Sequence, residues 1–202
     1  NKAVIIFDAA YVEYISDKSL PKSIYEIEEA KKCAIEVNSF SKSAGFASVR
    51  LGWTVVPMDL IVEKTKIGQI NALWRRRRGS VFNGASSISQ EGGIAVLSPR
   101  GQKENKKLVQ YYMDNAKIIK SGLLKLGLKV FGGENAPYIW VKNPSNLSSL
   151  QFFNKLLKEA HVVGTPGSGF GREGEGYLRL TAFGHRSDIE KAMKSISKNL
   201  KL

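Results

Sequence analysis

The chain has 202 residues, of which 43% are hydrophobic and 24% charged, a composition typical of folded globular proteins. This length allows one ordinary domain, or one domain and part of another. No run of eighteen apolar residues occurs, so we expect no membrane span. The single cysteine, Cys33, excludes an internal disulfide and is typical of a reducing compartment.

The amino-terminal residues, NKAVIIFDAAY, are strand-like and lack the charged segment and long apolar core of a signal peptide. The chain also opens without an initiator methionine. We therefore expect it to be a piece of a longer protein.

The net charge of +13 invites a nucleic-acid-binding hypothesis. The densest basic run is WRRRRG, at 74–79. No recognition-helix pattern, zinc-ligand spacing or aromatic-plus-basic strand motif accompanies it, and the other lysines are spread along helical segments. The pattern favours a solvated helix end or loop over a phosphate-binding patch.

Apolar periodicity predicts the elements of the first half of the chain. Segments 3–11, 33–37 and 50–56 are predicted strands, the first being a buried strand of parallel type. Residues 58–74 are predicted to be helical, and 82–98 to be a small-residue loop running into a packed helix that Pro99 interrupts. A long amphipathic helix that stops at Gly127 follows. Its apolar stripe consists of Leu108, Tyr112, Ala116, Ile119, Leu123 and Leu126.

The composition then changes, which predicts two domains, 1–127 and 128–202. Strands are predicted at 128–131, 138–142, 161–164 and in GYLRLTAF, at 176–183. Two helices are each predicted to start with a capping box, one at Ser148–Gln151 and the other at Ser187–Glu190.

Two motifs are weak. The spacing G-x-G-x-x-G at 169–174 requires a following helix to bind a dinucleotide, and a strand-like segment follows, so a surface loop beside a site is favoured. His161 and His185 lack a second ligand at metal spacing, so we expect structural roles and no metal site.

Lys42, in VNSFSKSAGFASVRLGW at 37–53, lies between two runs that are both predicted to be buried strands, so we expect it near the core. A lysine near the core needs its charge paired or suppressed, and a neutral lysine attacks carbonyl carbon. Asp8 ends an apolar strand, where an unpaired carboxylate is costly, and Tyr11 follows three residues later.

A pyridine aldehyde cofactor needs an amine, an anion for its ring nitrogen, a donor for its ring hydroxyl, and hydroxyls with an arginine for its phosphate. Each type is present among Asp8, Tyr11, Ser39, Ser41, Lys42 and Arg50. A buried salt bridge between Asp8 and Lys42 is the alternative, and spacing alone leaves both open.

The segment SFSKSAGFASVRLGW resembles the S-x-S-K…R-x-G-[WY] segment of the fold-type I pyridoxal-phosphate aminotransferases of class I/II. The segments FDAAYVEYISDKSLPKSIYEI, IEVNSFSK, FNGASSISQEGG, APYIWVK and TPGSGFG…GEGYLRLTAFGHR are similar to the LL-diaminopimelate branch of that family, in its carboxyl-terminal half. The resemblance implies an α/β fold: part of a large, mostly parallel-sheet cofactor domain and a smaller α+β C-terminal domain.

The resemblance also implies residue roles. Lys42 is the Schiff-base and proton-transferring lysine, Asp8 pairs with the pyridine nitrogen, and Tyr11 contacts the ring oxygen. The phosphate is held by Ser39, Ser41 and Arg50, with Phe40 in the same cofactor-binding turn. Asn83 reaches the phosphate in the neighbouring subunit of a homodimer. Arg179 binds the substrate α-carboxylate, for which the alternative is a surface ion pair.

The implied reaction is ping-pong transamination between LL-2,6-diaminopimelate and 2-oxoglutarate, giving tetrahydrodipicolinate and glutamate, in lysine biosynthesis. The implied location is the bacterial cytoplasm, or the plastid stroma in a plant, without nucleic-acid or membrane partners. The family's phosphate-cradling loop and ring-stacking aromatic belong to its other half. Alternatives are an aspartate or aromatic amino-acid aminotransferase of the same fold and a non-catalytic basic binding fragment.

Overall fold

A computed structural model describes residues 3–201, apart from the side chain of Ser145. The chain divides into two compact units, one ending at Val109 and the other starting at Gln110. This division falls inside the long helix in which the sequence places a boundary. The domain limits 1–127 and 128–202 stay a prediction, and Asn1, Lys2 and Leu202 lie outside the described residues.

The first unit contains a three-stranded sheet in the order β1 (Ile5–Asp8), β2 (Ala34–Ser39), β3 (Gly52–Val55). β1 and β2 are parallel, whereas β2 and β3 are antiparallel. The three strands predicted from the sequence are therefore confirmed, with shifted limits.

The predicted burial of β1 is wrong, and so is that of β3, in which Trp53 is 44% exposed and Val55 is 38% exposed. Ile6 is 72% exposed and Ile5 is 47% exposed. β1 is an edge strand of its sheet, with β2 as its neighbour, so its side chains have few neighbours from elsewhere in the chain. An apolar run predicts the strand, but burial depends on what packs against it.

The helices of the first unit are α1 (Phe40–Ser43), α2 (Gln69–Arg77), which continues as a π-helical turn over Arg78–Phe82, and α3 (Ser87–Leu97). The prediction of a helix over 58–74 is wrong for 58–68, which form turns and irregular segments. The reason is local, since Lys64 and Gly68 have φ angles of 65° and 76° and the helix begins only after them.

Helix α4 (Pro99–Lys125) belongs to both units. Pro99 takes its first position, where a proline loses no helical hydrogen bond. In the second unit, three residues of the predicted stripe are buried: Ala116, Ile119 and Leu123. The helix ends before Gly127, whose φ is 76°, which confirms the predicted stop.

The second unit contains an antiparallel sheet in the order β4-β5-β7-β6, flanked by two further helices. Its elements are β4 (Val130–Gly132), β5 (Tyr138–Lys142), α5 (Ser149–Ala160), β6 (Thr165–Pro166), β7 (Tyr177–Thr181) and α6 (Arg186–Asn199). One face of the sheet supplies Ile139, Val141, Leu178 and Leu180 to a buried hydrophobic cluster shared with α4, α5 and α6.

The predicted capping box at Ser148–Gln151 is confirmed, whereas the one at Ser187–Glu190 is wrong. His185 occupies the N-cap of α6, so the helix begins two residues earlier than the box requires. The strand predicted at 161–164 is also wrong. His161 adopts a left-handed conformation with φ 56° and caps α5, and the chain becomes a strand only at Thr165–Pro166.

Candidate functional site

The parallel strands β1 and β2 end side by side. Asp8 lies opposite Val37, and the amide of Ala9 donates to the Val37 carbonyl over 2.7 Å. From Ser39 the chain passes directly into α1, which carries Lys42. The carboxyl ends of neighbouring parallel strands lie side by side, so Asp8 and the turn that bears Lys42 lie at the same end of the sheet.

A short turn presents Ser39, Ser41 and Lys42, all of them half-buried. Ser39 caps α1, its Oγ accepting a hydrogen bond from the Ser41 amide at 3.0 Å. Phe40 is buried, with its ring centre 4.9 Å from that of Trp53 and 5.7 Å from that of Phe46. The buried ring anchors the turn beneath the polar side chains.

The main chain of Lys42 is held by a residue that the sequence analysis did not single out. Tyr14 is 2% exposed, and its hydroxyl donates to the Lys42 carbonyl over 2.6 Å. The Tyr14 ring lies 6.2 Å from that of Tyr11. The only sequence signal for Tyr14 is its position three residues after Tyr11, one turn of a 3₁₀-helix.

Asp8 is exposed, so the prediction of a buried carboxylate is wrong, for the same reason as the burial of β1. Its Oδ1 accepts a hydrogen bond from the amide of Ala10 at 3.1 Å. This local bond orients the carboxylate at the end of β1.

Two buried polar residues on β2 brace the strand that leads to Lys42. Glu36 is 7% exposed and Asn38 is 6% exposed. Glu36 Oε1 accepts from Asn38 Nδ2 at 2.8 Å, and Oε2 accepts from Ser23 Oγ at 2.6 Å and from the Ile24 amide at 3.0 Å. A buried carboxylate is tolerated when donors surround it in this way. The sequence analysis missed the pair, although strand alternation places both on the same face as buried Ala34.

Arg50 and Asn83 both adopt left-handed backbone conformations, with φ of 64° and 60°. Such a conformation costs a non-glycine residue about 1–3 kcal/mol. Arg50 is exposed, and its Nη1 donates to the Ala47 carbonyl at 2.7 Å. Asn83 is also exposed and ends the π-helical turn, its amide donating to the Arg78 carbonyl at 2.8 Å.

Arg179 belongs to the second unit. It lies on β7, opposite Trp140 of β5 and Thr165 of β6. Its Cζ is 4.3 Å from the ring centre of Tyr138 and 4.4 Å from that of Phe170. The ion pairs of the described residues do not include Arg179, so the surface ion pair considered as an alternative is not formed there.

The basic run Arg75–Arg78 lies at the exposed end of α2 and the start of the π-helical turn, which confirms the predicted solvated helix end. Three of these arginines, Arg75, Arg77 and Arg78, line a cavity of about 700 Å³ together with Trp53 and Trp74. Within residues 3–201, no helix is long and apolar enough to cross a membrane. Histidine, cysteine and carboxylate side chains also form no group of three that could hold a metal in this range.

Comparison with known proteins identifies relatives of the whole chain. Residues 1–196 match the family described as aminotransferase class I and II. The LL-diaminopimelate aminotransferase of Phocaeicola vulgatus is 56% identical over 200 residues, which are 98% of this chain and 49% of that protein.

Solved structures give the same relationship. The L,L-diaminopimelate aminotransferase from Chlamydomonas reinhardtii superimposes with a TM-score of 0.92 at 45% identity, over 98% of this chain and 48% of that one. An aromatic aminotransferase from Pyrococcus horikoshii gives a TM-score of 0.81 at 26% identity, over 96% of this chain and 50% of that one. The chain therefore spans about half the length of the proteins it matches.

Proposed function

The chain belongs to the class I and II aminotransferase family, and from this premise we propose that the full-length enzyme transfers an amino group between LL-2,6-diaminopimelate and 2-oxoglutarate. The products are tetrahydrodipicolinate and glutamate, and the reaction serves lysine biosynthesis. The fold is that of the fold-type I aminotransferases, whose cofactor is pyridoxal 5'-phosphate. The identity of 56% to a relative named for this substrate supports the choice of amino donor.

The observation that best supports this chemistry is that the parallel strands β1 and β2 end side by side. The anion Asp8 and the amine Lys42 therefore lie at the same end of the sheet. The donor set suits the cofactor, because it offers an anion for the ring nitrogen, a phenol, hydroxyls and a guanidinium. The residues proposed to hold it are Asp8, Tyr11, Ser39, Phe40, Ser41 and Arg50, with Asn83 from the other subunit of a homodimer. When bound, the cofactor supplies an electron sink for the substrate α-carbon.

Lys42 is the proposed catalytic residue. Its Nζ would hold the cofactor aldehyde, and as a free amine Nζ would take or return a proton at the substrate α-carbon. The contact of Tyr14 with the Lys42 carbonyl and the burial of Phe40 support this role, because both restrict the backbone that positions Nζ.

Arg179 is proposed to bind the α-carboxylate of both the amino acid and the oxo acid. Its planar fork can bind a carboxylate bidentately, and a lysine cannot copy this geometry. Arg179→Lys in the full-length enzyme should therefore weaken both substrates and leave cofactor affinity nearly unchanged. A variant that loses cofactor and binds substrate normally contradicts the assignment.

The deciding experiment measures amino-donor selectivity of the full-length enzyme together with covalent capture of the cofactor. Borohydride reduction followed by peptide mapping should find the cofactor on Lys42. Preference for LL-diaminopimelate over aspartate and aromatic amino acids supports the proposed substrate.

Two other functions give different results in that experiment. An aspartate or aromatic aminotransferase captures the cofactor but prefers another amino donor. The similarity to the aromatic aminotransferase from Pyrococcus horikoshii is the observation that favours this alternative. A non-catalytic basic fragment captures no cofactor.

We further propose that the full-length enzyme is a cytoplasmic homodimer in a bacterium, with residues 1–127 in its large domain and 128–202 in its small domain.

A further inference from the structure

The guanidinium of Arg179 contacts two aromatic rings, those of Tyr138 and Phe170, at 4.3 and 4.4 Å from the ring centres. Both distances are within the range of cation–π contacts. We propose that Phe170 and Tyr138 are positioning residues that hold this guanidinium in the orientation that receives the substrate carboxylate. The inference rests on the proposed function of Arg179.

The chemistry of the guanidinium explains why ring contacts would matter. Its N–H donors lie in the plane of the group, whereas an aromatic ring attracts the face. A ring stacked on that face leaves the edge free to bind a carboxylate bidentately. Contact with two rings also restricts the Arg179 side chain before substrate binds, so less rotamer freedom is lost on binding.

Tyr138 is placed by the regular part of the sheet. It lies on β5 two residues before Trp140, which is directly opposite Arg179. Residues at such diagonal positions on one sheet face are within reach of long side chains. The Tyr138 ring is itself packed against Phe183, with ring centres 5.9 Å apart.

Phe170 comes from the glycine-rich loop between β6 and β7. The backbones of Gly167 and Gly174 are in close contact. A Cβ atom on either residue would therefore collide with the carbonyl oxygen of the other. This contact closes the base of the loop, and Phe170 lies between its two ends. Trp140 then contacts the Phe170 ring edge-on, with centres 5.1 Å apart. The loop that the sequence analysis placed beside a site thus carries one specific ring to Arg179.

The exposure of Phe170 argues against a purely structural role. Its side chain is 48% exposed, so its burial contributes little to the core of the second unit. Phe170 also lines a cavity of about 410 Å³ with Phe131, Trp140 and Tyr177. The ring contacts with Arg179 and Trp140 are therefore what a smaller side chain at this position would remove.

The test uses the full-length enzyme with Phe170→Leu, which removes the ring and keeps apolar bulk, and Phe170→Tyr, which keeps the ring. We expect Phe170→Leu to raise KM for both glutamate and 2-oxoglutarate about fivefold, in keeping with the strength of a cation–π contact. We expect kcat to change by less than about twofold, since the ring contacts no reacting atom. Phe170→Tyr should restore KM. Leu150→Ala, at an exposed hydrophobic residue of α5, is the matched control and should have no effect.

Arg179→Lys, measured in parallel, separates failure of this inference from failure of the proposed function. If Arg179→Lys weakens both substrates and Phe170→Leu leaves KM unchanged, the positioning role is overturned and the proposed function stands. If Arg179→Lys itself has no effect on either substrate, the carboxylate-binding role fails first. In the Arg179→Lys background, Phe170→Leu should add less than about twofold, because coupled residues are not additive. A full additional effect in that background also overturns the inference.

Discussion

The two units differ in how completely they cover their own apolar residues. In the second unit, both helices and the end of α4 close over one face of the sheet and form a continuous buried cluster. In the first unit, large apolar side chains remain exposed on β1, β3 and α3, among them Ile6, Val55 and Ile88. The unit that carries Lys42 therefore depends less on a core of its own. Most of the proposed cofactor-binding residues therefore lie in the unit with the less complete core, whereas the proposed carboxylate-binding Arg179 lies in the unit with the continuous core.

The largest expected effect concerns the chemistry of the first unit. Lys42→Ala in the full-length enzyme should abolish transamination and leave the fold intact, because the side chain is proposed to supply the amine while Phe40 and Tyr14 hold the turn. Steady-state activity and thermal unfolding measure the two properties. Lys66→Ala, at an exposed lysine of the same unit, is the control. Turnover within about tenfold of wild type, roughly 1.4 kcal/mol in barrier, contradicts the role of Lys42.

The second prediction compares the packing of the two units directly. In the 202-residue chain, Leu178→Ala should lower the free energy of unfolding by about 2–5 kcal/mol, because Leu178 is fully buried and its removal leaves a cavity. Ile6→Ala should change it by less than about 0.5 kcal/mol, because Ile6 is 72% exposed. Denaturant titration of both variants measures the difference.

Equal losses of unfolding free energy in these two variants would contradict the difference in packing between the units. Measuring the same two variants in an enzyme of the relatives' length tests whether β1 is covered there. A larger cost for Ile6→Ala there would mean that β1 gains neighbours in the longer protein.

The third prediction concerns Asp8. Asp8→Asn keeps the shape of the side chain and removes the anion proposed to hold the cofactor nitrogen protonated. Turnover of the full-length enzyme should fall by about a hundredfold, or ~2.7 kcal/mol, with the cofactor still bound. Kinetics and cofactor absorbance test both parts. Normal turnover would contradict the proposed contact of Asp8 with the cofactor nitrogen.

The smallest expected effect concerns Tyr25, whose hydroxyl lies 3.2 Å from the Ala34 carbonyl of β2 and 3.1 Å from the Val55 carbonyl of β3. Burial raises the pKa of Tyr25 above its ordinary value of 10.0, and the nearby Glu36 carboxylate adds to this by repulsion. The stability linked to this shift is therefore present below pH 10.0 and is lost as the pH rises through the raised value.

Tyr25→Phe should cost about 1 kcal/mol near neutral pH, because a hydrogen bond is lost. This cost should shrink above pH 10.0, where wild type loses stability and the variant does not. Denaturant titrations of both proteins at two pH values measure the change. A cost that is independent of pH would contradict the link to ionisation of Tyr25.

The elements that the sequence predicted well are those whose pattern is local. The limits of β5 match the prediction, because strict alternation places Ile139 and Val141 on the buried face. The box at Ser148–Gln151 and the stop at Gly127 are likewise set by a few adjacent residues.

The predictions that failed depend on contacts or on single backbone angles. An apolar run such as that of β1 says nothing about which other segments cover it. The left-handed angle at His161 moved a predicted strand, and turns around Lys64 replaced the first part of a predicted helix. At the candidate site, the residue types and the strands that carry them were predictable from the sequence. The bracing of β2 by Glu36 was not predictable from the sequence, because the hydrogen-bond donor Ser23 is not adjacent to Glu36 in the chain.

The left-handed backbone of Arg50 has a consequence for how this protein can be evolved. Glycine adopts such a φ angle without a steric penalty, so Arg50→Gly should relieve strain in the folded chain. The same change removes the guanidinium proposed to bind phosphate. Selection for thermal stability alone should therefore recover glycine at this position, and selection for the proposed transamination should reject it. A library screened under both regimes would show stability and function in opposition at a single residue.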